Sequence, residues 1–88
     1  MSDIGAPIEA MLLMADAPLT AIELAETLNV PTVEVDAALA ELQEFYDSTG
    51  RGFELRHVAG GWRYYTRLEH AALLSRWVLE GQQSKLSQ

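Results

Sequence analysis

Cysteine is absent from this 88-residue chain, and long apolar runs are absent as well. Without cysteine there is no disulfide bond, no thiolate metal ligand and no thiol nucleophile, which fits a reducing cytoplasm. No segment approaches the ~20 consecutive apolar residues of a membrane helix. The first residues also lack the basic stretch that precedes the apolar part of a secretory signal. The sequence therefore predicts a cytoplasmic protein without a membrane span.

Basic residues are scarce and confined to the second half of the chain. The net charge is -7, and residues 1–50 contain ten Asp or Glu but no Lys or Arg. All six basic residues lie from Arg51 onward. Because DNA binding depends on Lys and Arg displacing counterions from phosphates, we expect the first half to repel nucleic acid. The hydrophobic content of 49% is nevertheless sufficient for one small folded domain.

Groupings of residues that support catalysis are also lacking. The two histidines, His57 and His70, are thirteen residues apart and do not have the spacing of a metal-binding helix. No serine lies in the strand-turn-helix context of an activated nucleophile, and no glycine-rich nucleotide motif is present. We expect no enzyme activity, cofactor or metal, and interpret His57 as a hydrogen-bonded residue at the edge of the core.

The first predicted helix, residues 7–15, is apolar on nearly every side. Its inner stripe at helical spacing consists of Ile8, Met11, Leu12 and Ala15. Leu13 and Met14 lie on the opposite side, so we predict that they form a partner surface. The alternative is that the C-terminal helix and the N-terminal arm around Ile4 cover this side within one monomer.

A second helix is predicted after the turn at Pro18. Thr20 and Glu23 have the spacing of a capping box, in which each side chain binds a free backbone amide at the helix start. The residues expected to point inward are Ile22, Ala25 and Leu28. Pro31 stops this helix.

A third helix follows, with Thr32 predicted as its cap. Its apolar stripe runs for about four and a half turns and contains Val35, Ala38, Leu39, Leu42, Phe45, Tyr46 and Thr49. Its opposite face is acidic and carries Glu34, Asp36, Glu41, Glu44 and Asp47. Two helices joined by a tight turn and preceded by a third are typical of a helix-turn-helix.

Two β-rich runs, residues 53–59 and 62–66, are separated by Gly60-Gly61. Two glycines between such runs predict a hairpin, because both central residues of the favoured turn need positive φ. This turn places Ala59 opposite Trp62. The face expected to meet the helices contains Phe53, Leu55, His57, Ala59, Trp62, Tyr64 and Thr66.

The outer face of the hairpin is predicted to pair Arg56 with Tyr65 as a cation–π contact and Glu54 with Arg67 as an ion pair. Thr66 and Glu69 then predict a second capping box, at the start of a fourth helix that ends before Gly81.

These elements predict a mainly α fold with a small β-hairpin: a winged helix-turn-helix of three helices, a two-stranded wing and a C-terminal helix. Residues 1–81 are predicted as one winged-helix domain and residues 82–88 as a linker or tail. The most serious functional alternative to a protein-binding module is a DNA-binding transcriptional regulator, whose third helix would enter the major groove.

Groove binding by the third helix is disfavoured, because Gln43 is its only side chain suited to reading base edges. The wing arginines that are able to contact phosphates are Arg51, Arg56, Arg63 and Arg67. In contrast, so small a domain cannot bury all its large rings together with a two-sided first helix. Besides Leu13 and Met14, we therefore expect partner contacts at Tyr65 on the wing and at Leu73 and Trp77 on the fourth helix.

The chain resembles the N-terminal domain of segregation and condensation protein B, a partner of the bacterial SMC–kleisin complex. The matching stretches are residues 8–13, Ala17-Pro18-Leu19, Leu24-Ala25, Gly50 to Leu55, and Ala59-Gly60-Gly61-Trp62-Arg63 followed by Thr66. The glycine-bounded wing is the most specific of them.

The resemblance implies a non-enzymatic scaffold for chromosome condensation and segregation. Such a protein forms a homodimer through this domain and binds the kleisin subunit, segregation and condensation protein A, and through it an SMC ATPase. It would then be associated with the nucleoid through the complex. Family members usually carry two successive winged helices, so residues 82–88 are expected to lead toward a missing second one.

Overall fold

The computed structural model describes residues 3–86, which fold into helices and one antiparallel hairpin. The elements in chain order are α1 (Gly5–Met14), α2 (Ala21–Leu28), α3 (Thr32–Ser48), β1 (Phe53–Val58), β2 (Gly61–Thr66), a 3-10 turn (Leu68–His70) and α4 (Ala71–Leu86). This order is that of a winged helix, so the predicted fold class is confirmed. Of the predicted tail, residues 87 and 88 lie outside the described residues.

The start of α2 has the predicted capping box. The Glu23 backbone N–H donates to Thr20 Oγ1 at 3.0 Å, and the Thr20 N–H donates to Glu23 Oε1 at 3.1 Å. The predicted cap of α3 is wrong, because Pro31 occupies the cap position and its carbonyl oxygen accepts from the Glu34 N–H at 3.0 Å. The extended backbone of Pro31 therefore begins the helix one residue earlier, and Thr32 is its first helical residue.

The core lies between the inner sides of α1, α2 and α3 and the inner face of the hairpin. Its buried side chains are Ile8, Leu12, Leu24, Ala25, Val35, Ala38, Leu39, Leu42, Tyr46 and Leu55. This set confirms the inner stripe of α1 at Ile8 and Leu12 and the stripe of α3 from Val35 to Tyr46, but Thr49, predicted as the last member of that stripe, is exposed just beyond the helix end. The inward placement of Ile22 is wrong: its side chain is 62% exposed, because α2 turns Leu24 and Ala25 toward the core instead.

The wing differs from the prediction by a two-residue shift in register. Val58 pairs with Gly61 and His57 with Trp62, so the turn residues are Ala59 and Gly60, which have φ of 53° and 79°. Because side chains alternate along a strand, a shift of two leaves the residues paired in β1 and β2 on their predicted faces, but the placement of Ala59 on the inner face is wrong because it lies in the turn.

Gly61 is needed for close packing, not for the turn. A Cβ on Gly61 would lie 2.6 Å from Pro18 Cβ. The segment before α2 is held against the wing here, since the Leu19 N–H donates to the Trp62 carbonyl at 2.9 Å and the Trp62 N–H donates to the Leu19 carbonyl at 2.7 Å. The two adjacent glycines therefore have different functions, which displaced the predicted turn by one residue.

The predicted ion pair between Glu54 and Arg67 is wrong. Arg67 instead donates to Asp47 Oδ1 at 2.9 Å, to the Tyr46 carbonyl at 3.1 Å and to the Arg51 carbonyl at 2.5 Å. It thereby joins the end of the wing to the C-terminal end of α3, where free carbonyls need donors.

The last helix begins and ends differently from the prediction. A 3-10 turn with Arg67 at its cap position precedes α4, and no side-chain cap bond forms there, so the capping box predicted for Thr66 and Glu69 is wrong. The helix also continues through Gly81 to Leu86, because one interior glycine costs a helix only about 1 kcal/mol.

The last helix, α4, projects from the rest of the fold. It packs mainly on the 3-10 turn beside it and contributes no residue to the core, and the molecule extends over 51 × 27 × 23 Å. We call α4 the arm and the unit from α1 to β2 the body.

Candidate interaction surfaces

The outer side of α1 is uncovered, as predicted for a partner surface. Leu13 is 78% and Met14 is 84% exposed, whereas Leu12 on the inner stripe is buried. The alternative, in which the last helix covers α1 within one monomer, is wrong because the arm projects from the body. Ile4 packs against the core rather than over these side chains.

An apolar depression adjoins this side of α1. It is lined by Glu9, Leu13, Phe53 and Tyr64. Phe53 faces α3 as predicted, with its ring centroid 4.9 Å from that of Tyr46, and at the margin of the core it remains 36% exposed. Its ring packs against Tyr64, with the ring centroids 5.2 Å apart, so aromatic side chains form one wall of the depression. Together with the neighbouring Met14 we call these five residues the socket.

The polar groups beneath the socket bond to one another. The Tyr46 hydroxyl donates to Glu9 Oε2 at 2.5 Å and lies 2.9 Å from the Tyr64 hydroxyl. Burial raises the pKa of Tyr46 well above its usual range, and the hydrogen bonds to Glu9 and Tyr64 raise it further. Burial also raises the pKa of Tyr64. Tyr46 therefore holds the Glu9 side chain and is itself held by Tyr64, which gives the socket a fixed shape that suits binding rather than proton transfer.

The arm exposes a second apolar surface. Leu73 is 53% and Trp77 67% exposed, as predicted for partner contacts, and they lie one turn apart on the same side of the helix. Val78 and Leu79 are 49% and 60% exposed. The sequence placed these two on the last helix but gave no reason to single them out, because their exposure depends on the direction in which the helix leaves the body.

The outer face of the wing is a weaker candidate. Tyr65 is half-buried, and the Arg56 guanidinium lies 5.0 Å from the centre of its ring, which confirms the predicted cation–π contact. Arg51 likewise lies over Phe45 at 5.4 Å. Since Arg67 is bonded within the fold, three of the four wing arginines already have intramolecular contacts.

The exposed side of α3 is acidic, and its one candidate for base reading points inward. Gln43 Nε2 donates to the Leu55 carbonyl at 2.9 Å, which ties α3 to the wing. The five carboxylate residues of α3 are exposed on its other side: Glu34, Asp36, Glu41, Glu44 and Asp47. Insertion of this helix into the major groove would bring these charges close to phosphates.

The two histidines lie on different elements, His57 on β1 and His70 in the 3-10 turn. His57 is exposed and stacks on Trp62 with ring centroids 4.7 Å apart, so its placement as a hydrogen-bonded core residue is wrong. Within residues 3–86, no three His, Asp or Glu side chains gather as a metal site, and no helix is long and apolar enough to cross a membrane.

Comparison with known proteins gives a consistent result. The family model "Segregation and condensation complex subunit ScpB" matches residues 6–88. Segregation and condensation protein B of Moorella thermoacetica is 40% identical over 80% of this chain, and that of Geobacillus thermodenitrificans is 38% identical over 92%. The matches cover only 36% and 39% of those two proteins, so this chain spans less than half of their length.

Two solved structures have the same fold. ScpB from Mycobacterium tuberculosis matches with a TM-score of 0.87 and 34% identity, over 91% of this chain and 50% of that one. A dimer of the ScpB N-terminal domain complexed with an ScpA peptide matches with a TM-score of 0.78 and 31% identity. That match covers 83% of this chain and 91% of the solved one.

Proposed function

The chain belongs to the family of segregation and condensation complex subunit ScpB, and from this premise we propose that it is a non-enzymatic scaffold in chromosome condensation and segregation. In this role it forms a homodimer and binds the kleisin subunit ScpA, and through ScpA it is linked to an SMC ATPase. Its expected location is the cytoplasm, at the nucleoid through the complex.

The observation that carries this proposal is the match to the ScpB–ScpA peptide structure. That solved chain is an N-terminal domain, it is dimeric, and 91% of it aligns with the present chain. The elements present in that dimer are therefore present here. Exposed apolar side chains are available for such contacts at Leu13, Met14, Leu73 and Trp77. We propose these four residues and the half-buried Tyr65 as the partner surfaces.

The same relatives support a proposed domain division. We propose that residues 1–81 form the dimerisation domain and that residues 82–88 lead on toward a second winged helix. This chain aligns with half of the ScpB chain from Mycobacterium tuberculosis, which leaves a comparable length for a second domain.

The rival function, a DNA-binding transcriptional regulator, has less support. The acidic exposed side of α3 and the inward Gln43 remove the usual means of reading the major groove. We expect fluorescence anisotropy with labelled duplexes to show no submicromolar, sequence-dependent binding at physiological salt. Such binding would restore the regulator as the better proposal.

Sedimentation equilibrium tests the dimer, and affinity capture with tagged full-length ScpA from the same genome tests the partner. We expect a mass of twice the 9.7 kDa chain and capture of the chain by ScpA. The matched control is tagged ScpA incubated with a Val33→Glu variant, because Val33 is exposed on α3 away from the proposed surfaces. This variant should be captured equally. A monomer that ScpA does not retain would contradict the proposal.

A further inference from the structure

Two apolar surfaces of this chain lack a partner and do not meet within one molecule. One is the socket beside α1, and the other is the side of the arm that carries Leu73 and Trp77. The arm leaves the body from the 3-10 turn and packs mainly on that turn, so its apolar side chains stay in solvent. Exposed apolar area of this kind on a small domain marks a site of association.

We propose that the dimer forms by arm exchange, in which the arm of each protomer lies in the socket of the other. The proposal rests on the homodimer proposed above and names its interface. A two-fold axis makes the exchange reciprocal, so both arms and both sockets are filled and neither surface is left to recruit a third copy. The assembly therefore closes at two chains.

The arm presents adjacent exposed apolar side chains, and the socket is an apolar depression that can receive them. The arm is 16 residues long, which corresponds to about 24 Å of helix. Leu73 and Trp77 are one turn apart, so both can contact a single concave site. In the socket, Leu13 and Phe53 supply apolar walls, and the hydrogen bonds among Tyr46, Glu9 and Tyr64 fix its base.

Charge favours contact of an arm with a body over contact between like surfaces. The body is acidic, because the ten acidic residues before Arg51 outnumber the wing arginines Arg51, Arg56 and Arg63. On the arm, Arg76 lies about one turn from Leu73 and next to Trp77. Two α1 helices packed together would bring the Glu9 side chains of both protomers close to each other, whereas an arm brings Arg76 to this acidic surface.

The test compares an arm variant, Trp77→Glu, with a socket variant, Leu13→Glu/Met14→Glu. Arm exchange requires each variant alone to be largely monomeric, with the dimer Kd raised at least about tenfold, because each homodimer loses both of its contacts. Mixing the two variants restores a heterodimer, because the intact arm of one chain meets the intact socket of the other. Val33→Glu is the control for added surface charge and should remain a dimer.

Sedimentation velocity of each variant and of their mixture gives the readout, and circular dichroism confirms that each variant is folded. An arm variant that stays dimeric points to packing of α1 on α1 or to another occupant of the arm, such as ScpA, and overturns arm exchange. A socket variant that stays dimeric points to packing between arms and overturns it equally. A mixture of the two variants that stays monomeric also overturns arm exchange.

Cross-linking provides a test that needs no destabilising charge. The natural chain has no cysteine, so Met14→Cys in one chain and Trp77→Cys in another can form a disulfide only with each other or with themselves. For equal amounts of the two chains, arm exchange predicts mixed cross-links well above twice either symmetric product, which is the ratio that random pairing gives, and a mixed product at or below this ratio overturns it. A wild-type chain that sediments as a monomer would instead contradict the dimer of the proposed function itself.

Discussion

Apolar residues about one turn apart are buried in the body and exposed in the arm. Leu39 and Leu42 on α3 are 0% exposed, whereas Leu73 and Trp77 on α4 are 53% and 67% exposed. The difference lies in the connections: α3 is flanked by elements that return to it, and α4 leaves by a 3-10 turn and does not return. Periodicity thus identifies residues that share a side of a helix, but the path of the chain decides whether anything covers them.

The largest effect that distinguishes the two regions is expected from leucine truncation. Leu39→Ala and Leu42→Ala should each lower the free energy of unfolding by about 2–5 kcal/mol, because each leaves a cavity in the core. Leu79→Ala in the arm should cost less than about 0.5 kcal/mol in dilute, monomeric protein, and so should Glu41→Ala on the exposed side of α3. Urea unfolding measures all four. A large loss at Leu79 would mean that the arm belongs to the folded body.

A smaller effect is expected where the wing meets the segment before α2. Gly61→Ala should destabilise the body by about 1–3 kcal/mol, because the new methyl group must displace Pro18. The matched control is Gly52→Ala, where nothing lies within 4 Å of the added carbon. Thermal unfolding followed by circular dichroism should separate the two variants clearly. Equal melting temperatures would show that the wing moves freely relative to the body.

The tyrosines beneath the socket predict a pH dependence of the body. The pKa of Tyr46 and that of Tyr64 are both raised in the fold. Their contribution to the free energy of unfolding is therefore complete below the unfolded tyrosine pKa of about 10, and it is lost as the pH rises above that value.

Tyr46→Phe should lower stability at pH 8 by about 1–2 kcal/mol, because Glu9 loses its hydrogen-bond donor. Between about pH 9.5 and 11, the free energy of unfolding of this variant should fall by less than that of the wild type. Urea unfolding across this range provides the measurement, and Tyr65→Phe on the outer wing is the control. Parallel curves for wild type and Tyr46→Phe would contradict this explanation.

The smallest expected effect is a gain in stability from a substitution in the wing turn. Ala59 has a φ of 53°, a conformation that Asn tolerates better than Ala. Ala59→Asn should therefore raise the free energy of unfolding by up to about 1 kcal/mol. The same change at the exposed, mid-helical Ala40 should lower it by roughly 0.5 kcal/mol, because Asn is a poorer helix former. Shifts of the denaturant midpoint in opposite directions would confirm both expectations. A lower midpoint for Ala59→Asn would contradict the strain at Ala59.

The order of elements was predictable because each leaves a local pattern. The capping box at Thr20, the stripe of α3 and the alternation along the hairpin are all properties of residues close in sequence. The exposed sides of α1 and α4 were predictable for a related reason, since both helices carry more apolar residues than one contact can bury. Leu13, Met14, Leu73 and Trp77 are all exposed, although the partners they contact remain proposals.

The errors lie where a residue responds to something distant in sequence. Gly61 was predicted in the turn but pairs in β2. A glycine is needed there because Pro18, forty-three positions earlier, leaves no space for a side chain. Arg67 bonds to the end of α3 rather than to the neighbouring Glu54 because three acceptors converge there. The direction of α4 could not be predicted either, because it is set by a short 3-10 turn that has no periodic sequence pattern.

The two tryptophans of the chain are divided between its two regions. Trp62 is half-buried in the wing and stacked on His57, whereas Trp77 is 67% exposed on the arm. Indole emission moves to shorter wavelength when water is excluded, so the two side chains should emit as separate blue and red components. Replacing Trp62 with Phe would leave a single natural fluorophore on the arm. Its emission would then report, without any attached dye, when another surface covers the helix.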